Sequence, residues 1–256
     1  MNGFSPFLKK EFFELYRKGR LLLFCILSVF FGILAPATAK LTPAIFKLMN
    51  SEFEQQGITV TSVTVTAYNS WEQFFGNLPV LLIVFVIVFS GSVTGEFSKP
   101  TAIPLLTKGL SRSAFMLSKL TAATVLWSAG LWLCFGITYG YTSYYWENST
   151  VSHLYSTILL WWLFSLGVIG MMFMFSSLLN TSSQVMLCTG TVVFCCYLLG
   201  IVKSLKKFLP TTLAGGSAFI NGSQSLSQCT PAIVITALAA VVSYALAVTL
   251  IGKRKV

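Results

Sequence analysis

The sequence predicts an all-α membrane protein: one transmembrane domain of six membrane-crossing helices, preceded by an N-terminal interfacial amphipathic helix. Three observations predict it. Of the 256 residues, 55% are hydrophobic and only 9% charged, with a mean hydropathy of +0.79; a soluble domain carries about 25% charged residues. The apolar residues gather into six runs, each close to the roughly 20 residues that a helix needs to cross a bilayer. Within those runs they are consecutive, as from Leu78 to Phe89, and do not alternate as the strands of a membrane barrel do. In lipid every backbone group must be paired locally, so even runs rich in β-branched residues read as helix.

Residues 4–18 come first. Phe4, Phe7, Leu8, Phe12 and Leu15 share one helical stripe, and Lys9, Lys10, Glu14 and Arg17 lie away from it. This is the pattern of a helix lying in the membrane interface. Lys10–Glu14 and Glu14–Lys18 are spaced to pair along it. Glu11 interrupts the stripe, either turning toward the headgroups or meeting a cytoplasmic partner or the next inner loop. The first span follows at about 20–39. Ala37-Thr38-Ala39 resembles a signal cleavage site, but the long, mixed-charge region ahead of the run favours a retained span.

Residues 40–73 are polar, with a Thr/Val alternation at 59–66 that fits a small outer cap or hairpin. The second span, 74–93, leads into an inner loop at 96–115. Pro100 and Pro104 prevent a long helix there, while Leu105, Leu106, Leu110 and Phe115 give the loop an apolar side suited to docking on a soluble protein. Spans three (114–139) and four (154–179) join outside, and a short turn at Asn180-Thr181-Ser182 leads to span five (184–202). Residues 203–230 are too apolar for a plain loop and too broken by Pro210, Gly215, Gly216 and Gly222 for a span, which fits an outer re-entrant segment. Span six covers 231–251. Gly136 and Gly140 in span three, and Ala239, Ser243 and Ala247 in span six, are small-residue faces of the kind that let helices approach closely.

Lysine and arginine set the orientation, because cytoplasmic loops are enriched in them. Both termini inside places twelve of the 17 basic residues on the cytoplasmic side. Lys203, Lys206 and Lys207 fit this worst. The net charge of +10 needs no nucleic acid; anionic inner-leaflet lipid is its counter-surface. This pattern places the chain in a cell membrane, multi-pass, with both termini cytoplasmic; a bacterial source is expected only from the family resemblance below.

Much chemistry is excluded. There is one histidine, His153, in a loop, and there are no aspartates; no H-E-x-x-H or G-x-S-x-G occurs. The six cysteines, Cys25, Cys134, Cys188, Cys195, Cys196 and Cys229, lack metal-site spacing and read as small apolar filler. All seven glutamates, Glu11, Glu14, Glu52, Glu54, Glu72, Glu96 and Glu147, lie outside the span cores. Ion-coupled transporters keep such a group at mid-membrane, so their absence there argues against proton- or sodium-coupled transport. Without a G-x-x-x-x-G-K-[ST] motif, the chain has no P-loop of its own. Asn148-Ser149-Thr150 and Asn221-Gly222-Ser223 match the glycosylation pattern.

The inner loop carries a family resemblance. Gly95-Glu96-Phe97-Ser98-Lys99, then Leu105-Leu106-Thr107-Lys108-Gly109-Leu110-Ser111-Arg112, then Phe115 and Lys119, resemble the "Glu … Leu-Leu … Pro-Val-Ser-Arg … Lys-Leu" stretch of the membrane (permease) subunits of type-two ATP-binding-cassette exporters. Gly109-Leu110 stands where the family often has Pro-Val. Leu8-Lys9-Lys10-Glu11 is similar to the family's opening, and the layout matches over nearly the whole chain. The resemblance implies a dimeric permease with no enzyme activity and no cofactor of its own. Separate cytoplasmic ATPase subunits would bind ATP and Mg and dock on Glu11, Glu96, Lys99, Leu105, Leu106, Leu110, Arg112 and Phe115. It also implies that spans two and five face the pathway, which would put Phe85, Phe89, Met186, Phe194 and Tyr197 along it. An uncharged lining of aromatics and methionine suits an amphipathic peptide or a lipophilic antibiotic. A non-catalytic membrane scaffold or assembly factor shares the same composition and is the alternative.

Overall fold

The computed structural model describes residues 4–55, 64–97 and 111–253. Helices run α1 (Phe4–Arg17), α2 (Arg20–Gln55), α3 (Ala67–Phe97), α4 (Arg112–Tyr145), α5 (Leu154–Leu178), α6 (Ser182–Leu199), α7 (Lys203–Lys206), α8 (Gly216–Ile220) and α9 (Thr230–Leu250), with no strand among the described residues. Six of them, α2 to α6 and α9, are long and apolar enough to cross a membrane. The protein is an all-α, multi-pass membrane protein. Antiparallel succession puts α1, the end of α3 and the start of α4 at one end of the bundle, and the end of α6 with α7 and α8 at the other.

Short turns set these boundaries. Gly19 adopts φ +68°, a left-handed conformation that favours glycine, and breaks α1 from α2. Ser111 and Thr181 cap α4 and α6 by accepting from the amides of Ala114 (3.2 Å) and Gln184 (3.3 Å).

The helix after the first span is longer than the sequence predicts. α2 continues to Gln55 through Pro36 and Pro43, so residues 40–55 extend the span where an outer cap is expected. A proline within a helix deprives the carbonyl four residues earlier of its donor. For Pro36 that carbonyl is Gly32, and the Thr138 hydroxyl of α4 donates to it at 2.9 Å. The helix therefore survives its proline because a neighbour pairs the freed group. Of the Thr/Val alternation, residues 59–63 lie outside the described residues, and Thr64–Thr66 precede α3 without regular structure.

Buried aromatic side chains fill the centre. Phe24 of α2 sits 5.2 Å from Phe85 of α3 and 5.7 Å from Trp127 of α4, and Trp71 and Phe74 pack on Phe135. Polar pairs tie the helices across this core. Trp127 donates to Ser165 Oγ (2.6 Å), Trp162 to Ser128 Oγ (2.9 Å), and the Ser70 and Thr142 hydroxyls meet at 2.8 Å. Such side-chain bonds bind helices where apolar burial alone gives little preference over lipid.

The small-residue faces match the sequence reading in part: Ser243 and Ala247 lie in a helix contact, Gly136 and Gly140 do not. A Cβ on Gly136 or Gly140 would meet nothing within 4 Å, so among the described residues no helix packs closely on that pair. α2 and α4 close instead at Gly130, whose Cβ would lie 2.1 Å from the Phe24 ring, and at Gly32, 3.0 Å from Ile137. On α9 the buried stripe is Ala232, Thr236, Ala240, Ser243 and Ala247, while Ala239 faces outward. It packs on Gly167 and Gly170 of α5.

Residues 203–230 form short helices and turns that cover the far end of the bundle. Leu213 and Phe219 are fully buried, Trp161 donates to the Ala214 carbonyl at 3.0 Å, and a Cβ on Gly216 would lie 2.3 Å from Phe75. Only glycine lets this cover sit so close to α3. Asn148, in the first glycosylation-type triplet, is engaged on both sides of its amide: it accepts from Trp71 Nε1 at 2.9 Å and donates to the Tyr139 carbonyl at 3.2 Å.

Candidate functional site

The strongest concentration of chemistry lies at the α1 end. Phe7, Glu11 and Leu15 are the buried residues of α1, spaced four apart on one face. That face packs on α4: Phe7 lies 5.5 Å from Phe115, which also meets Phe97 edge to face at 5.7 Å. The apolar stripe is therefore spent largely on the protein, and a carboxylate sits in its middle. Lys119, one side of α4, reaches that carboxylate at 3.1 and 3.0 Å and Glu96 of α3 at 2.6 Å. One buried ammonium thus joins three helices.

A more exposed shell surrounds this node. Lys10 approaches Glu11 at 3.8 Å and Glu14 at 3.0 Å, and Lys18 also pairs with Glu14. A small cavity beside them is lined by Glu14, Lys18, Arg20, Phe89, Ser92 and Lys119. Glu96 Oε2 and Ser92 Oγ are buried without a hydrogen-bond partner.

Burial pushes the Glu11 carboxyl above its ordinary range, outweighing the pull of Lys119. At Glu14 burial acts in the same direction, but hydrogen bonds from Lys18 and Lys10 prevail and hold the carboxyl at about 2. Burial disfavours the Lys10 ammonium, yet Glu14, Glu96 and Glu11 together raise it.

Glu14 therefore has a folded value below its unfolded one. Its contribution is complete above the unfolded value and is lost as the pH falls toward 2. Replacing Glu14 by Gln should flatten the acid loss of α1 protection between about pH 4.5 and 2. Amide hydrogen exchange of residues 4–18 measures this, and an unchanged acid profile would exclude Glu14 as the source.

Carboxylate oxygens of Glu11, Glu14 and Glu96 lie within 4.8 Å of one another, a spacing compatible with a cation. Lys119, Lys10 and Lys18 pair with these three carboxylates. The cluster is thus charge-balanced by the protein's own ammoniums, and its chemistry is that of a tether.

The residues singled out from the sequence separate into distinct places. Glu11 and Glu96 meet at Lys119 inside the protein. Phe115 is buried beside them, whereas Arg112 at the start of α4 donates to the Gly252 carbonyl at 3.3 Å and ties down the end of α9. Lys99, Leu105, Leu106 and Leu110 lie outside the described residues.

The pathway set divides as well. Phe85 and Phe89 stack at 4.3 Å and are buried against Phe24, Trp127 and Arg20. They lie in the packed interior of the bundle. An aromatic residue on an all-apolar helix gives no sign of which side it faces. Met186 is half-buried, and Phe194 and Tyr197 are exposed on α6.

The fold and this node define a six-span helical membrane protein whose N-terminal helix is pinned to its core by buried charge. No known protein family matches this chain, and no curated protein is significantly similar to it.

Proposed function

We propose that the chain is the permease subunit of an ATP-binding-cassette exporter. It assembles as a dimer around α6 and moves an amphipathic peptide or lipophilic antibiotic out of the cell. Separate ATPase subunits bind ATP and Mg, and both termini face the cytoplasm with them. The observation that carries this reading is an inversion in α6. It has the lowest mean hydropathy of the six spans, 1.6, and is also the least buried, at 11%. A helix facing lipid should be among the most apolar, as α9 is, with 2.4 and 17%.

Gln184, Gly190, Thr191 and Cys195 of α6 are exposed beside Phe194 and Tyr197. Polar and small side chains of this kind favour a protein neighbour or a wetted pathway over acyl chains. At the other end, the Lys119 node links α1 to both ends of the 96–115 connection. An ATPase pressing on that connection would thus move α1 with it.

Oxidation in the native bilayer tests the assembly. With the native cysteines replaced by serine, Gly190→Cys, Thr191→Cys or Phe194→Cys should cross-link two copies through α6, and Leu238→Cys on α9 should not. Equal cross-linking from α9, or none from any α6 position, overturns the reading. Release of a loaded amphipathic peptide from vesicles only with the ATPase and ATP present tests the transport itself.

A further inference from the structure

Lys206 and Lys207 are exposed at the end of the bundle opposite α1, where the charge bias expects few lysines. The sequence contains no aspartate or glutamate after Glu147, so that half of the chain supplies them no carboxylate. Their segment is nonetheless well fixed. Thr211 Oγ1 donates to the Cys196 carbonyl at 3.4 Å, the Thr212 hydroxyl donates to the Lys206 carbonyl, and the amides of Leu205 and Phe208 bond to Val202 (3.0 Å) and Leu205 (2.9 Å).

The side chains of this fixed backbone point outward. Ile201 is 76% exposed, and Val202, Leu205 and Phe208 are exposed with it. Lys207 Nζ lies 5.0 Å from the centre of the Phe208 ring. Four apolar side chains and two ammoniums are therefore exposed within eight residues, directly after the exposed Leu198 and Leu199 of α6.

We propose that Ile201–Phe208 is an anchor for anionic phospholipid. The apolar side chains enter the boundary between headgroups and acyl chains, and Lys206 and Lys207 hold the headgroup phosphates. Lysine stems can lie along apolar surface while the ammonium stays at headgroup level. A soluble acidic protein would account for the lysines but not for an apolar surface that continues a membrane-spanning helix. The anomaly in the charge pattern is then a binding feature: these lysines belong to the membrane surface at that end.

The test uses the full chain in nanodiscs of phosphatidylcholine with or without phosphatidylglycerol, read by amide hydrogen exchange at 201–209. Phosphatidylglycerol should slow exchange there on the order of tenfold. The double variant Lys206→Gln/Lys207→Gln should lose that slowing while residues 4–18, at the opposite end, keep the parental pattern and show that the fold is intact. Exchange independent of phosphatidylglycerol overturns the proposal, as does retention of the full effect in the double variant. Soluble glycerol phosphate added to phosphatidylcholine discs should not reproduce the slowing; if it does, the segment is an anion site and not a lipid anchor.

Discussion

Lys119→Met should lower stability by about 3–5 kcal/mol and release α1 from the bundle. Among the described residues, Lys119 is the one ammonium that bonds both Glu11 and Glu96, and its side chain is only 3% exposed. Without it, two buried carboxylates face each other, and Glu96 already has one oxygen with no partner. Charges left in low dielectric without a counter-ion carry a large desolvation cost.

Lys10 cannot replace it, because it lies 3.8 Å from Glu11 and is already engaged with Glu14 at 3.0 Å. Adding Glu11→Gln and Glu96→Gln to the methionine variant should restore most of the loss, since neutral amides remove the repulsion. Thermal unfolding in nanodiscs, with hydrogen exchange of residues 4–18, reads both effects. A methionine variant within about 1 kcal/mol of the parent, or one not rescued by the two glutamines, would show that the node is incidental to α1 docking.

The spans were legible because each is a run of apolar residues of fixed minimum length, a property of the chain and not of its packing. The N-terminal helix was equally legible from its stripe, and the stripe also held the clue to the site: Glu11 sits where only an apolar residue belongs unless a partner waits. That partner was in view as well. Lys119 falls inside the third span as read from sequence, and a charged residue within a span calls for a counter-charge. Which carboxylates supply that counter-charge is not legible, because span length does not reveal which helices are neighbours.

Orientation about a helix axis was the harder problem. α3 is apolar on every side, so nothing in its sequence separates buried Phe85 and Phe89 from exposed Ile83 and Ile87. In water the polar face would mark the outside; in lipid both faces are apolar. α6 is informative only once its burial is known, since modest hydropathy acquires meaning when the helix turns out to face away from its own bundle.

The second large effect concerns helix approach. Gly130→Ala should destabilise the protein by about 1–3 kcal/mol, toward the upper end of that range. The new Cβ would lie 2.1 Å from Phe24 Cε1, 2.7 Å from Cδ1 and 2.8 Å from Ser28 Oγ. Phe24 has little room to withdraw, since Phe85 and Trp127 flank its ring at 5.2 and 5.7 Å and it is almost fully buried. α2 and α4 must then separate, straining the nearby Thr138–Gly32 bond that pairs the carbonyl freed by Pro36. Phe24→Leu in the alanine background should recover part of the loss by opening space for the methyl group. Gly136→Ala and Gly140→Ala provide the comparison: both meet open space within the protomer, and alanine suits a helix better than glycine. Thermal unfolding of the three single variants separates the two glycine sites, and a Gly130→Ala variant as stable as Gly136→Ala would mean that α2 and α4 do not pack this closely.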